Sequence, residues 1–491
     1  MWCNRVGPES FRAGCVLAMS EALRHRLVAF AVFALFSASA SAQQPVLTPW
    51  SRSFLAVDTP LVALTHVTLI DGTGAPARDD QTILLRNGQI EGVGASAKVR
   101  VPAAAKVLDL TGHTVIPGLV GLHQHTYLGG ITPPAPMMHS AMLYLASGVT
   151  TAMTAGSFMP YGELNIKRMI DAGTLPGPRM HIAGPYITGP RAVPGPFRII
   201  ESPEEATRVV DYWADEGATW LKILNGPTAV VRAVVGAARA RGLKVTAHLC
   251  AVTFTEAAEL GVDALQHGFI TNSEYVPGKQ PDVCPGTNQR AQADVDPASA
   301  EVRESIRRIV AAGAAVVSTL GAYESFSVNR ARLDTAAMAM LAPPVRRAVE
   351  ETHAGLARSP FTVPDRLLAR MMQWERLFVA AGGLLGAGCD PWGTGFIPGY
   401  GDLRNYELLI EAGFRPPVAV QIMTLNGARI LGEQQRIGSI ERGKVADLVV
   451  IRGNLAANAR AIRDVSIVFR GGHGFDPAKL RNEVRGKLGV D

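Results

Sequence analysis

The feature that most constrains the fold of this chain is a series of apolar segments that each end at a residue able to bind a metal ion. The first segment, VIPGLVGLHQH, ends with His123 and His125. Later segments end at single polar residues, which are Lys222, His248, His267 and Asp390. Polar residues at the carboxyl ends of strands form the active sites of parallel barrels. The order of these segments therefore predicts that several strands bring the six side chains together.

Taken singly, most of these residues have a simpler structural interpretation. A histidine at the end of a strand is more often a hydrogen-bonded core residue than a ligand. Lys222 alone would be a lysine whose amine reaches solvent, and Asp390 before a proline is typical of a turn. His123 and His125 are two residues apart, so both rings point to the same face of a strand and favour one metal ion. The prediction of a metal site therefore depends on all six residues occurring in this order at the ends of predicted strands.

The middle of the chain alternates between short apolar runs and longer helical segments. Eight such strand–helix units are recognisable between residue 118 and about residue 430, and this number fits an α/β fold of the (β/α)8 TIM-barrel type. Residues 61–115 read as short strands and turns, and the Asn87–Gly88 step suits a tight hairpin. The chain returns to strands after residue 432, where they are able to complete the sheet begun before the barrel. The 491 residues allow one large and one smaller domain.

The first 42 residues have the pattern of a secretory signal peptide. A basic RHR segment precedes the apolar run LVAFAVFALF, and Ala40 and Ala42 form a small-x-small cleavage signature before Gln43. The apolar run is too short to span a membrane. The basic segment begins shortly after Met19, which indicates a start codon assigned too early. We therefore expect a periplasmic or secreted protein whose mature chain begins at about Gln43.

Charge and cysteine content narrow the function further. The net charge of +6 is spread along the chain without a basic cluster interleaved with aromatics, so nucleic-acid binding is not predicted. Three cysteines, an odd number, remain after signal cleavage: Cys250, Cys284 and Cys389. Cys250 and Cys389 stand beside the predicted ligands, where we expect buried free thiols in preference to a disulfide or a sulfur ligand.

Two segments of the sequence resemble the amidohydrolase superfamily of metal-dependent hydrolases, which includes imidazolonepropionase-like and prolidase-like members. VIPGLVGLHQH resembles the opening of the family's barrel, and LNGARILGEQQRIGSIERGKVADLVVI resembles its closing segment. The resemblance covers about residues 60–472. It implies a barrel over residues 118–431, a small β-sandwich built from residues 60–117 and 432–472, and a C-terminal tail over residues 473–491. One departure is Gly121, which stands where the family usually has an acidic residue.

The resemblance also implies a ligand set for two divalent metal ions, with zinc as the first choice and manganese or iron also tolerated. His123, His125 and Asp390 would hold the more buried ion. His248 and His267 would hold the more exposed ion. Lys222 would bridge both after carboxylation, because a lysine beside two dications must be neutral or chemically altered.

The chemistry that follows is metal-activated hydrolysis. A hydroxide bridging the two ions would be the nucleophile, and Asp390 would accept its proton and pass it to the leaving nitrogen. This chemistry needs no serine nucleophile, and the sequence has no Gly-x-Ser-x-Gly elbow that would supply one. We expect an exported hydrolase of amide-type C–N bonds in a small molecule: a dipeptide, an N-acyl amino acid or a cyclic amide. A lactone or ester hydrolase is the alternative, and a non-catalytic metal-binding or scaffold barrel is a third possibility.

Candidate substrate contacts lie in the loops that follow the strands. They are Tyr127, Tyr186, Arg191 and Tyr323. Arg191 is suited to pair with a substrate carboxylate, and equally suited to bond its own loop. The long segment between His267 and Asp390 leaves room for a lid or for a contact in a homo-oligomer.

Overall fold

The computed structural model describes residues 45–130, 137–190, 195–285, 291–359 and 361–490. The predicted signal peptide and Arg191 lie outside these residues. The strands in chain order are β1 (Leu55–Val57), β2 (Leu61–Leu69), β3 (Arg78–Arg86), β4 (Gln89–Ala95), β5 (Lys106–Asp109), β6 (His113–Pro117), β7 (Leu119–Gln124), β8 (Val149–Thr154), β9 (Arg179–His181), β10 (Tyr186–Thr188), β11 (Arg198–Ile199), β12 (Trp220–Leu224), β13 (Lys244–His248), β14 (Ala264–Gln266), β15 (Ala315–Ser318), β16 (Leu385–Ala387), β17 (Leu448–Arg452), β18 (Val465–Arg470) and β19 (His473–Phe475).

The α-helices in chain order are α1 (Pro49–Arg52), α2 (Met138–Ala146), α3 (Pro160–Asp171), α4 (Pro203–Asp215), α5 (Thr228–Ala240), α6 (Phe254–Leu260), α7 (Ala300–Ala311), α8 (Leu320–Glu324), α9 (Thr335–Met338), α10 (Pro343–Gly355), α11 (Asp365–Ala380), α12 (Tyr400–Glu411), α13 (Pro416–Gln421), α14 (Gly427–Leu431) and α15 (Pro477–Val484). A π-helical turn, Ile422–Asn426, joins α13 to α14. Within the described residues, no helix has the length and apolar character needed to cross a membrane.

The strands from β7 to β16 form one parallel sheet that fits a TIM-type barrel. Its order is β11-β10-β12-β13-β14-β15-β16-β7-β8-β9. The last strand of this series, β9, pairs with β8, and β10, which follows β9 in the chain, pairs with β12 near the other end. They therefore act as two parts of one interrupted strand that joins both ends of the sheet. The predicted α/β class is confirmed, and all eight predicted strand segments contain strands.

One helix that covers this sheet, α4, begins at residues suited to a helix start. In α4, the Ser202 side chain accepts a hydrogen bond from the Glu205 backbone N–H, and Pro203 occupies the first helical turn. The residues of α4 that are buried are Ala206, Val209, Val210 and Trp213. This three-to-four residue spacing places one apolar stripe toward the strands and leaves the charged residues in solvent.

A second sheet of nine strands is built from both ends of the chain. Its order is β1-β19-β18-β17-β6-β2-β3-β4, and β5 pairs with β2. It has its own apolar core, which includes Leu64, Ile83 and Phe469. The sheet is wider than the sequence pattern indicates, because β1 lies before residue 60 and pairs with β19, which lies after residue 472. The segment 473–491 thus contains a strand and also α15.

The turn predicted at Asn87–Gly88 is confirmed. Arg86 pairs with Gln89 across β3 and β4, which leaves two residues in the turn. Asn87 and Gly88 both have positive φ angles, 49° and 79°. This is the combination that a two-residue hairpin with the favoured twist requires.

The expectation of a free thiol at Cys250 is wrong, because Cys250 forms a disulfide with Cys284. Cys250 lies just beyond β13, and the chain after β14 turns back to it. The Lys279 amine donates a hydrogen bond to the Ala251 carbonyl at 2.7 Å, which holds the returning segment at the same place. Cys389 is a buried free thiol, as expected.

We predict that the disulfide stabilises the folded state. The bridge closes a loop with a sequence separation of 34 residues, and a loop of this length restricts the unfolded chain enough to contribute about 2–4 kcal/mol. The double variant Cys250→Ala/Cys284→Ser should unfold at a lower temperature than the parent protein. Thermal unfolding followed by circular dichroism measures the change, with Cys284→Ser alone in reducing buffer as control. An unchanged midpoint would show that the bridge contributes no stability.

Candidate metal centre

The six predicted ligands and three tyrosines line one cavity of about 410 Å³. The ligand residues come from β7, β12 and β13 and from the residues just after β14 and β16. Because neighbouring parallel strands run in register, their carboxyl ends meet at one edge of the sheet. The pairing of Leu224 with His248 is one example of this alignment. The cavity therefore lies where active sites of barrel enzymes are found.

The first group of ligand atoms consists of His123, His125 and Asp390. Their candidate ligand atoms all lie within 4.8 Å of one another. The Nε2 atoms of His123 and His125 are 3.6 Å and 3.5 Å from Asp390 Oδ1. Two imidazoles and a carboxylate that converge in this way are suited to a divalent transition metal.

Asp390 reaches this position because β16 approaches β7 closely. A Cβ atom at Gly388 would come within 2.3 Å of the backbone nitrogen of His123, so only glycine permits the approach. The Asp390 N–H then donates a hydrogen bond to the His123 carbonyl at 2.7 Å. Asp390 itself has a positive φ of 51°, a conformation that is uncommon for a non-glycine residue.

His267 and His248 form the second part of the site. Their ring centroids are 4.6 Å apart. The Nδ1 atom of His267 is 3.5 Å from Asp390 Oδ2 and 2.9 Å from the Thr319 hydroxyl oxygen. His267 also has a positive φ, 71°. Asp390 is thus near three histidines, and its two oxygens face different members of the group.

Two residues that the sequence analysis did not single out orient these histidines. The Gln266 Oε1 atom lies 2.6 Å from His123 Nδ1 and accepts a hydrogen bond from it when that nitrogen carries the proton, which leaves Nε2 free to bind a metal. The Gln266 amide nitrogen donates to Thr246 at 2.6 Å, which fixes the amide orientation. The Thr319 hydroxyl group similarly contacts the Nδ1 atom of His267. Their only sequence signal is their position at the ends of β14 and β15.

Lys222 is deeply buried, with 1% of its surface exposed. Its amine has no hydrogen-bond partner within the described residues. Burial lowers the lysine pKa to about 7, and the charge of Asp390 opposes this shift only in part. A Cβ atom at Gly156 would come within 2.7 Å of Lys222 Cγ, so the glycine provides the space for this side chain. Lys222 therefore presents an amine that is readily neutral.

Three of the histidines are also held in their neutral form. Burial, with a smaller contribution from the Lys222 charge, lowers the pKa of His248 to about 3. The pKa values of His123 and His267 are also well below the ordinary value, mainly because of burial. Neutral imidazoles are the form that binds metals.

The departure from the family pattern at Gly121 has a structural counterpart. A Cβ atom at Gly121 would come within 1.8 Å of the Gln124 side-chain nitrogen, so the Gln124 amide occupies this space. That nitrogen donates a hydrogen bond to Asp402 at 2.7 Å, and the Gln124 carbonyl oxygen accepts one from the Cys389 N–H. Burial raises the pKa of Asp402 to about 7. An amide and a buried carboxyl therefore support β7 and β16 from outside the ligand group.

The tyrosines named from the sequence line the same cavity. The Tyr127 and Tyr186 hydroxyl groups are 2.7 Å apart and share a hydrogen bond. The ring of Tyr323 stands edge-on to His267, with centroids 5.4 Å apart. Burial raises the pKa values of all three hydroxyl groups, so they stay protonated near neutral pH. Arg191 lies outside the described residues, and its role stays a prediction.

The donor set fits the metals that the family resemblance implies. Four imidazoles and one carboxyl group converge, and the buried Lys222 amine has no protein partner among the described residues. A buried polar group without a partner is costly unless something else contacts it. Metal binding through a modified Lys222 would remove this cost. The assignment of each residue as a ligand stays a prediction.

Comparisons with known proteins agree with this description. A model of the Amidohydrolase family matches residues 403–473. Enamidase from Eubacterium barkeri is 32% identical over 83 residues, which are 17% of this chain and 22% of the enamidase, so the match spans about a fifth of that protein's length.

Solved structures match over most of the chain. The crystal structure of a putative prolidase from Bifidobacterium longum is 26% identical, with a TM-score of 0.64, and the match covers 86% of this chain and 98% of that one. A bottromycin amidohydrolase matches over 91% of this chain and 96% of its own, with 20% identity and a TM-score of 0.68, which shows a shared fold. The parallel sheet, the histidine-rich cavity at its strand ends and these matches together support the amidohydrolase superfamily.

Proposed function

We propose that this protein is a metal-dependent hydrolase of amide-type C–N bonds in small molecules such as dipeptides, N-acyl amino acids or cyclic amides. The observation that carries the proposal is the convergence of four histidines, Lys222 and Asp390 in one cavity. The names of the similar proteins support the same chemistry, since they describe a prolidase, an enamidase and a bottromycin amidohydrolase.

Two divalent ions, with zinc as the first choice, complete the site in this proposal. His123, His125 and Asp390 would hold one ion, and His248 and His267 would hold the other. Bound ions of this kind supply a water that ionises near neutral pH and a Lewis acid for the substrate carbonyl. The readily neutral amine of Lys222 adds to the carbon of carbon dioxide and loses a proton. The product would be a carbamate, an anion whose two oxygens would be available to the metal ions.

Asp390 moves the proton in this proposal. Its carboxylate accepts a proton from the attacking water and returns it to the leaving nitrogen as the C–N bond breaks. Its place within 3.6 Å of both β7 histidines and its unusual backbone conformation support the assignment. One hydroxyl group of the hydrogen-bonded pair Tyr127 and Tyr186, together with the hydroxyl group of Tyr323, is available to donate a hydrogen bond to the substrate. Arg191 is proposed to pair with a substrate carboxylate.

Two alternative functions differ from the proposal in the metal content or the substrate hydrolysis that they predict. A lactone or ester hydrolase would use the same site, and a scaffold barrel would have no turnover. Metal analysis of the purified protein, followed by assay of amides and lactones, separates the three. About two ions per chain with amide hydrolysis supports the proposal. A protein that retains no metal, or one that hydrolyses lactones and no amide, would contradict it.

We also propose that the second sheet folds around its core as a β-sandwich and that the mature protein is exported. The shared apolar core of strands from both chain ends supports the sandwich. The leader pattern of residues 1–42 supports export. So does the Cys250–Cys284 disulfide, because disulfides persist in oxidising compartments such as the periplasm. The contacts that a homo-oligomer would use stay a prediction.

We predict that Lys222→Ala loses metal and activity together. The missing group is a bridging anion, so short carboxylic acids or bicarbonate should restore part of both. Metal content and hydrolysis are measured on the same preparation, with and without the added acid.

Lys222→Arg is the matched control, because it keeps a cation and cannot form the carbamate. It should have no activity, and added acids should not rescue it. Retention of two ions and near-normal turnover in Lys222→Ala would remove Lys222 from the bridge.

Asp390→Asn should fold and retain much of its metal through the remaining ligands. It should lose about a hundredfold to ten-thousandfold in kcat, because an amide does not accept the proton. Asp294→Asn, which changes an exposed carboxylate paired with Arg366, is the control and should keep its activity. Turnover of Asp390→Asn within about tenfold of the parent would place the general base elsewhere.

Export is tested by expressing the full chain in a bacterium with a periplasm. The mature protein should be in the periplasmic fraction, and its amino-terminal sequence should begin at about Gln43. A full-length chain that stays in the cytoplasm would contradict the leader assignment.

A further inference from the structure

Aromatic side chains flank the candidate metal centre on two sides. The first aromatic wall consists of Phe158, Tyr186 and Phe197, whose ring centroids are 4.9 to 6.3 Å apart. The second aromatic wall consists of Phe326, Phe361 and Trp392, and the Phe326 and Trp392 centroids are 5.8 Å apart. All six residues line the cavity that contains the ligand group.

The positions of the walls follow from the order of the strands. The first wall belongs to chain segments that follow β8 and to the region of β10, and the second to segments that follow β15 and β16. In the sheet, β7 lies between β16 and β8. The two walls therefore lie on either side of the strand that carries His123 and His125. A substrate bound at those histidines is placed between aromatic surfaces.

The second wall keeps apolar surface in contact with water. Phe361 is 66% exposed and Trp392 is 37% exposed. Large exposed apolar groups at the mouth of a pocket indicate a binding surface. A ligand that covers these rings removes their apolar surface from water, and this burial contributes favourably to the free energy of binding.

Trp392 is held in place before any ligand binds. A Cβ atom at Gly129 would come within 2.1 Å of a ring carbon of Trp392, so only glycine lets the indole lie against the backbone there. The Gly393 N–H donates to the Gly129 carbonyl, and the Trp392 N–H donates to the Phe396 carbonyl, both at 2.7 Å. A wall that is already ordered loses little entropy when it binds a ligand.

The charged groups of the cavity belong to the metal centre. Among the described residues that line it, Lys222 and Asp390 are the charged side chains apart from the histidines. The rest of the lining in that part of the chain is mainly aromatic and aliphatic. The described walls therefore favour contact with a flat apolar group over pairing with a charged one.

We propose that the amide cleaved by this protein carries a flat aromatic group on its acyl or its amine part, and that the group binds between the two aromatic walls. The inference rests on the proposed amide hydrolysis and adds the substrate class. Aromatic rings prefer offset or edge-to-face contacts at centroid distances of about 4.5–7 Å. The centroid distances in the first wall, and that between Phe326 and Trp392 in the second, lie within this range.

A substrate series tests the class. N-benzoylalanine and N-acetylphenylalanine place a ring on either side of the scissile bond, and N-acetylalanine has none. We expect kcat/KM for one of the aromatic compounds to exceed that for N-acetylalanine by about tenfold or more. Equal kcat/KM values for all three compounds would overturn the proposal.

Wall variants test the location. Trp392→Ala should lower kcat/KM for the preferred aromatic compound by about tenfold, and that for N-acetylalanine by less than about threefold. Trp50→Ala is the matched control, because Trp50 is 45% exposed on α1 and does not line the cavity. An equal loss for both substrates, or no loss, would overturn the role of the wall.

A binding measurement separates this inference from the proposed function. 2-Acetonaphthone and acetone are ketones that hydrolysis cannot cleave, so their binding by calorimetry does not depend on turnover. The aromatic ketone should bind the parent protein and Trp50→Ala about tenfold more tightly than Trp392→Ala. If it does so while every amide is inert, the proposed function fails and the aromatic site stands. If amides react and the aromatic ketone binds no better than acetone, the aromatic site fails alone.

Discussion

The site depends on one geometric constraint, which is that parallel strands in register end at a common edge. β7, β12, β13, β14 and β16 each bring one or two candidate ligands to that edge, although these residues are separated by as many as 267 positions in the chain. The constraint is tight at β7 and β16, where a side chain at Gly388 would collide with the His123 backbone. The ligand distances around Asp390 are therefore a consequence of backbone packing as much as of side-chain choice.

Burial then determines the chemical state of the side chains at this edge. Removal from water lowers the pKa values of Lys222 and of three histidines, His123, His248 and His267, because their charged forms lose hydration. The same burial raises the pKa of Asp402, which lies behind the site against Gln124. Burial thus favours neutral nitrogen groups in the cavity and a readily protonated carboxyl outside it, so a single cause produces opposite pKa shifts.

An ion pair joins the second sheet to the parallel sheet. Asp447, just before β17, pairs with Arg179 of β9, and both side chains are largely buried. The Asp447 carboxylate also accepts a hydrogen bond from the Gly471 N–H. The two ends of the chain therefore meet in one sheet that is also tied to the interrupted strand of the barrel.

The sequence by itself determined the class of the fold and the residues at the strand ends. Apolar runs alternating with helical segments indicated the parallel sheet, and the residue that ended each run indicated the candidate ligands, because these signals are local. The Asn87–Gly88 hairpin was also predictable, since it depends on two residues alone.

Only the tertiary structure decided which distant residues touch. The Cys250–Cys284 bridge, the contact of Gln266 with His123 and the aromatic walls join segments that no local pattern relates. Phe326 and Trp392 read as ordinary apolar residues in the sequence, and their place beside the cavity depends on how the long segments after β15 and β16 return to the barrel. The sequence specifies the type of each side chain, whereas the distances between side chains depend on how the strands pack in the folded protein.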